Sequence, residues 1–123
     1  MNIYIICPVR DASQEQKEKL KAYKESLQAQ GHTAYYPADD NPYEDTDKIG
    51  YVICEENRRA TIEADEIHIF WDATSKGTLF DLGMAFALNK PLKIVNFDEL
   101  VFTKGKSFTN MINKWSNGGD VTI

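Results

Sequence analysis

Short, nearly all-apolar segments alternate with segments of helical periodicity along this chain, and this alternation restricts the possible folds more than any other feature. The apolar segments are residues 3–7, 33–36, 67–71 and 92–96, with residues 121–123 as a further candidate. Strands that are apolar throughout are typical of parallel sheets with both faces covered. The sequence therefore predicts an α/β fold, a three-layer Rossmann- or flavodoxin-like sandwich. Its parallel sheet has about five strands, with helices on both faces.

The helices between these segments have recognisable patterns. Ser13 followed by Gln16 predicts a capping box, and Gly31 is a typical helix stop. A second helix is predicted from an apolar stripe, with Asn57 at the stripe's edge and Glu56 nearer its middle. The stripe consists of Ile49, Val52, Ile53, Ala60 and Ala64. Residues 78–89 are so rich in Leu, Met, Phe and Ala that we expect a largely buried helix, and residues 108–115 predict a last one.

The segment 37–47 contains two prolines, four aspartates and a glutamate, which predicts a mobile loop. The formal net charge of −5 disfavours nucleic-acid polymers and anionic membranes as partners. Cys7 and Cys54 are far apart and form no metal-ligand spacing, so we expect reduced thiols, no metal and no cofactor. The apolar N-terminus is too short for a membrane span or signal. A chain of 123 residues with these properties predicts one cytoplasmic domain over residues 1–123.

Ligands of open parallel sheets bind at the carboxyl ends of the strands, so the candidate site residues follow strands. The three segments in that position are residues 7–10, 36–40 and 71–78. The third leads into a helix, where the N–H of Gly77 and the hydroxyls of Ser75 and Thr78 can bind an anion. Asp81 is expected in the first turn of that helix, where the helix dipole favours an ionised, potentially nucleophilic carboxylate.

Several of these residues form a longer pattern. The chain begins with a strand that enters Pro8-Val9-Arg10, a helix ends at Ala64-Asp65, and residues 75–91 read Ser-x-Gly-x-x-x-Asp-x-Gly-x-Ala followed by Asn-Lys-Pro. From residue 1 to about 96, this resembles the nucleoside 2-deoxyribosyltransferase-like family, which includes 2'-deoxynucleoside 5'-phosphate N-hydrolases. The resemblance implies cleavage of an N-glycosidic bond through a carboxylate that attacks the anomeric carbon.

By this resemblance, Asp81 takes the place of the nucleophile and Asn57 that of a helix-borne aspartate. Ser75 takes the place of a residue that is also serine in the phosphate-recognising branch, and Arg10 becomes a sugar or phosphate contact. The remaining expected substrate-binding residues are Pro8, Asp72, Gly77 and Thr78. The family's nucleophile is normally Glu, one methylene longer than Asp81, and Asn57 supplies no carboxylate. Glu56, Asp72 and Asp65 are candidates to supply the missing acid.

The leading hypothesis is therefore cleavage or transfer at the N-glycosidic bond of a small (deoxy)nucleoside or its 5'-monophosphate. The alternative is a catalytically inactive nucleotide-binding protein of the same fold, and a flavin-binding protein is a weaker one. Because the loops are short and related proteins often complete their sites with a neighbouring subunit, we expect a homodimer or larger assembly.

Plainer roles remain open for several residues. Arg10 could pair at the surface with Asp11 or Asp39. His68 lies within an apolar strand and is expected as a hydrogen-bonded sheet residue. The aromatic residues near the strand ends could stack on a base or belong to the core. They are Tyr35, Tyr36 and Trp71.

Overall fold

The computed structural model describes residues 1–118 and shows a parallel α/β fold. The strands are β1 (Asn2–Ile6), β2 (Thr33–Tyr35), β3 (Glu66–Ile69) and β4 (Leu92–Ile94). The helices are α1 (Gln14–Ala29), α2 (Pro37–Asp40), α3 (Tyr51–Glu63), α4 (Lys76–Ala87) and α5 (Phe108–Ser116), with a 3₁₀ turn at Phe97–Glu99. The sheet order is β2-β1-β3-β4, so the order reverses between β1 and β3. The predicted fold class is confirmed, with four strands in residues 1–118 rather than about five. The predicted strand at 121–123 lies outside the described residues.

Both faces of the sheet are buried, as apolar strands require. On one face, Tyr4 pairs in register with Ile67 and Ile6 with Ile69, and these side chains pack against α3, α4 and α5. On the other face, the alternate residues of β1 pack against α1. That second cluster contains Ile3, Ile5, Cys7, Leu20, Leu27, Ala34 and Tyr36. The sheet therefore lies between two helical layers.

Helix α1 begins with the predicted capping box. Ser13 Oγ accepts from the Gln16 N–H at 3.1 Å, and Gln16 Oε1 accepts from the Ser13 N–H at 2.9 Å. The helix ends just before Gly31, whose φ of 90° lies in the left-handed region that favours glycine. The sequence signals at both ends of α1 are thus confirmed.

Segment 37–47 is more ordered than the predicted loop. Its first four residues form α2, because Pro37 fits the first turn of a helix. Farther along, Asn41 Nδ2 donates to the Ile53 carbonyl at 3.1 Å, and Asp47 Oδ2 accepts from the Ile53 N–H at 3.0 Å. These bonds attach the segment to the start of α3. The prediction of a mobile loop is therefore wrong for α2. The remainder of segment 37–47 is hydrogen-bonded to α3 through Asn41 and Asp47.

Helix α3 buries a different stripe from the predicted one. Ile49 precedes the helix and is 91% exposed, and Val52 is also exposed, so neither fixes the buried face. The residues that α3 buries are Ile53, Asn57, Ala60 and Thr61. Asn57 is therefore inside the buried stripe rather than at its edge, and Glu56 is not in the middle.

Helix α4 begins at Lys76, two residues before the predicted start, and only one side of it is buried. The buried side consists of Thr78, Leu82 and Ala85. Phe80 and Phe86 are 56% and 57% exposed, so the expectation of a largely buried helix is wrong for a single chain. No helix within residues 1–118 is long and apolar enough to span a bilayer.

Candidate active site

A cavity of about 600 Å³ opens at the carboxyl ends of β1 and β3. This is the point of strand reversal, where parallel α/β sheets bind ligands, and the volume is within the range of small-molecule sites. Seven of the eight predicted site residues line it: Pro8, Arg10, Asn57, Asp72, Ser75, Gly77 and Asp81. The eighth, Thr78, does not line the cavity. Its side chain is fully buried, and its hydroxyl has no hydrogen-bond partner within residues 1–118.

Asp81 lies in the second turn of α4, because the helix begins at Lys76. The expectation that Asp81 is a carboxylate stabilised by the helix dipole in the first turn is therefore wrong. Burial raises the pKa of Asp81 to about 7. The hydroxyl of Tyr4 donates to Asp81 Oδ2 at 3.3 Å and lowers the pKa, whereas the negative charge of Glu44 raises it further. Near neutral pH, Asp81 is thus divided between its acid and its carboxylate form.

Asn57 is held in one orientation by a chain of hydrogen bonds. Asn41 Oδ1 accepts from the Tyr43 N–H at 3.0 Å, and Asn41 Nδ2 donates to the Ile53 carbonyl. These backbone partners determine which side of the Asn41 amide carries the oxygen and which the nitrogen. Asn41 Nδ2 also donates to Asn57 Oδ1 at 3.0 Å. Since the oxygen of Asn57 is taken, its Nδ2 is the group left to donate into the cavity.

The start of α4 supplies further donors. Ser75 caps the helix, with its Oγ accepting from the Thr78 N–H at 3.2 Å, and the Ser75 hydroxyl proton remains available. Within residues 1–118, no protein acceptor bonds the N–H of Lys76 or Gly77. These two N–H groups and the helix dipole favour a negatively charged ligand group at this end of the cavity.

Two loop residues complete this part of the wall. Asp72 Oδ1 accepts from the N–H of Thr74 at 2.9 Å and from its hydroxyl at 2.7 Å, so this carboxylate also shapes the loop before α4. Arg10 is exposed at the cavity, and in the described part of the chain it makes no ion pair with Asp11 or Asp39. Asp39 pairs with Lys24 instead, at 3.6 Å.

The sequence reasoning missed three site residues. Glu44 lines the cavity, and burial raises its pKa, an effect that Arg10 partly offsets. Tyr4 alternates like a core residue of β1, so nothing in the pattern distinguishes its hydroxyl, and Asn41 reads as a turn residue. The signal that could have found Glu44 is its place in the segment after β2, at the same edge of the sheet as the predicted site.

Two of the three other acidic candidates are not positioned to act. Glu56 bonds Arg59, with one oxygen 3.1 Å from Arg59 Nε. Asp65 lies at the opposite end of the sheet, where its Oδ2 accepts from the Asn2 N–H at 2.7 Å. Asp72 is the one candidate of the three that lines the cavity.

The histidine and aromatic candidates lie largely in the core. His68 bonds the Tyr23 hydroxyl through Nδ1 at 2.5 Å and Glu66 through Nε2 at 2.8 Å, as expected of a sheet residue. Trp71 is buried, and its Nε1 donates to Thr109 Oγ1 at 2.8 Å. Tyr36 is also buried, and Tyr35 stacks on Tyr4 with ring centroids 5.4 Å apart.

A second cavity of about 410 Å³ adjoins the first and shares Pro8, Asp72 and Thr74 with it. No group of three His, Cys, Asp or Glu side chains among the described residues is placed to hold a metal ion. The described residues at this edge of the sheet offer carboxyl, amide, hydroxyl and guanidinium groups to a ligand.

Comparisons with known proteins agree with this geometry. The family model described as nucleoside 2-deoxyribosyltransferase matches residues 3–114. A 2-deoxyribosyltransferase from Bacillus psychrosaccharolyticus is similar in structure, with a TM-score of 0.63 and 20% identity over 75% of this chain and 69% of that one. The Clostridium botulinum CMP N-glycosidase BcmB has a TM-score of 0.54 and 14% identity over 94% of this chain and 80% of that one. No curated protein sequence matches. The family match covers most of the chain, and the chain therefore belongs to the nucleoside 2-deoxyribosyltransferase family.

Proposed function

We propose that this protein cleaves or transfers the N-glycosidic bond of a small (deoxy)nucleoside or nucleoside 5'-monophosphate, with Asp81 as the nucleophile. The observation that carries the proposal is a partly buried carboxylate, bonded by the Tyr4 hydroxyl, in the wall of a cavity at the strand reversal. The two structural neighbours are a 2-deoxyribosyltransferase and a CMP N-glycosidase, and both of these activities concern an N-glycosidic bond.

The ionised form of Asp81 would attack the anomeric carbon while the bond to the base breaks, leaving a glycosyl ester on the carboxylate. Water then hydrolyses the ester, or a second base accepts the sugar, and Asp81 is regenerated. The hydroxyl of Tyr4 donates to one oxygen of Asp81, which orients the carboxylate. This sequence of steps requires no cofactor or metal.

The remaining wall residues are proposed to position the substrate. The Gly77 N–H and the Ser75 hydroxyl form the anion-binding end of the cavity, which suits a 5'-phosphate, and Arg10 can add a positive charge. Asn57 donates from Nδ2 to a sugar or base oxygen, while Pro8 and Asp72 line both cavities. Thr78 is fully buried on the inner side of α4 and is not proposed to contact the substrate.

We also propose that the working form is a cytoplasmic homodimer or larger homo-oligomer of this single-domain chain. Helices α3 and α4 pack side by side and carry exposed apolar side chains, namely Tyr51, Val52, Ile62 and Phe80. A second copy is the proposed cover, because Phe80 also lines the cavity, so covering it would narrow the cavity mouth.

The test is chromatographic separation of the products formed from a panel of nucleosides and 5'-monophosphates, with and without an added acceptor base. We expect the wild-type protein to release the base, and Asp81→Asn to lower the rate of release at least about a hundredfold. The matched control is Asp98→Asn, an exposed aspartate outside the cavity, which should keep full activity. A wild-type protein that binds these compounds and returns them intact would instead support the inactive nucleotide-binding alternative.

A further inference from the structure

We propose that Glu44 is the general acid and base of this site, the group that protonates the departing base and then activates water. This rests on the proposed function, because it assigns the second half of the same reaction. Asn57, which by the family resemblance takes the place of a helix-borne aspartate, has no proton of suitable acidity to give. A second carboxyl group must therefore come from elsewhere in the wall.

The departing base makes this group necessary. A purine or pyrimidine leaves poorly as an anion, and a positioned acid contributes about 10²–10⁴-fold to such a step. Asp81 cannot supply the proton, since it must be ionised to attack. Glycosidases that form a covalent intermediate solve this with two carboxyl groups in one site.

Glu44 has the environment that such an acid requires. It lines the cavity together with Asp81, and within residues 1–118 its carboxyl makes no hydrogen bond or ion pair. Burial raises its pKa, and so does Asp45, while Arg10 lowers it. The negative charge of Glu44 also raises the pKa of Asp81, as expected of two carboxyl groups that face one cavity.

The backbone that carries Glu44 is fixed to the site. The Glu44 N–H donates to the Asn41 carbonyl at 3.3 Å, and the side chain of Asn41 bonds Asn57 and the Ile53 carbonyl. One asparagine thus anchors both the Glu44 turn and the amide of Asn57. The turn is held against α3, so the position of Glu44 at the cavity does not depend on a free loop.

Of the other carboxyl groups near the cavity, Asp72 and Glu56 already have partners, whereas Asp11 lines the cavity as an exposed residue. Asp72 holds the N–H and hydroxyl of Thr74 through one oxygen, and Glu56 bonds Arg59. Asp72 and Asp11 are the competitors that any test must include, because both also line the cavity.

The proposed steps balance. The Asp81 carboxylate forms a bond to the anomeric carbon, the carbon–nitrogen bond breaks, and the proton of Glu44 passes to the departing base. The resulting Glu44 carboxylate then takes a proton from water, whose oxygen attacks the anomeric carbon. The ester bond breaks, which returns Asp81 as a carboxylate and Glu44 as an acid.

The experiment compares two substrates that differ in their need for a proton. One is a nucleoside or 5'-monophosphate that the wild-type protein cleaves, and the other is 4-nitrophenyl 2-deoxyriboside, whose phenolate leaves without protonation. For Glu44→Gln, we expect kcat/KM to fall about 10²–10³-fold on the nucleoside and less than about tenfold on the nitrophenyl glycoside. Glu55→Gln is the control, since Glu55 is an exposed glutamate of α3 outside the cavity wall.

Other outcomes overturn the assignment in distinguishable ways. Equal losses on both substrates, or no loss, would mean that Glu44 gives no proton, even though wild-type base release would leave the proposed function standing. A selective loss in Asp72→Asn or Asp11→Asn instead would transfer the role to that residue. Base release absent from the wild-type protein would overturn both proposals. If Glu44→Gln unfolds, Glu44→Ala with added azide replaces it, and glycosyl azide formation from the nitrophenyl substrate is expected.

Discussion

Neutralising Asp81 is expected to stabilise the folded protein at alkaline pH while abolishing its chemistry. Burial raises the pKa of Asp81 from its ordinary value of 3.8 to about 7. Between these values, the folded state binds more protons than the unfolded state, so stability falls as pH rises. The difference corresponds to about 4 kcal/mol above pH 7, at about 1.36 kcal/mol for each tenfold change in the acidity constant.

That figure is an upper bound, because water in the cavity solvates part of the carboxylate. We therefore expect Asp81→Asn to raise the free energy of unfolding by about 2–4 kcal/mol at pH 8, and by about 1 kcal/mol or less at pH 4.5. Asparagine keeps an oxygen for the Tyr4 hydroxyl, so the substitution removes charge without removing that acceptor.

The assay is urea unfolding of both proteins at the two pH values, with Asp98→Asn as the matched control. The control neutralises an exposed carboxylate and should change stability by less than about 0.5 kcal/mol at either pH. A variant that is less stable than wild type at pH 8, or whose gain does not depend on pH, would refute the reasoning about burial of this charge.

Three further predictions follow from other contacts. Base release should rise with pH on its acidic side as Asp81 ionises, with a midpoint near its pKa of about 7, and a pH–rate profile that is flat from pH 5 to 8 would contradict this. Asn41→Ala should lower the free energy of unfolding by about 1–3 kcal/mol in urea melts and weaken substrate binding, because it leaves the Asn57 oxygen without its partner; unchanged stability would contradict this. Arg10→Ala should raise KM for a 5'-monophosphate more than for its nucleoside, and equal changes would remove Arg10 from the phosphate end.

The parts of the fold that depend on local pattern could be predicted from the sequence. The apolar strands identified the parallel sheet, and the Ser13 capping box and Gly31 located both ends of α1. The predicted start of α4, at residue 78, is two residues late. The helix begins at Lys76, because Ser75 is its N-cap. That shift moved Asp81 from the first turn to the second.

The features that depend on contacts between distant segments could not be predicted. The predicted stripe of α3 includes the apolar residues Ile49 and Val52, which placed Asn57 at its edge. Ile49 lies before the helix and both residues are exposed, but helical periodicity alone does not show where a helix begins. The role of Asn41 depends on contacts with α3 that a single sequence does not reveal. The pKa of Asp81 likewise depends on burial and on Glu44, which lies far from it in the chain.

The central claim is that Asp81 forms a covalent bond to the sugar, and mass spectrometry of the intact protein mixed with substrate tests it most directly. The nitrophenyl glycoside and the Glu44→Gln variant suit this measurement, because the first step remains fast while hydrolysis of the ester is slowed. The account predicts an adduct with the mass of the glycosyl group, mapped by peptide digestion to Asp81 and absent from Asp81→Asn. Release of nitrophenolate without any adduct, or an adduct on another residue, would contradict it.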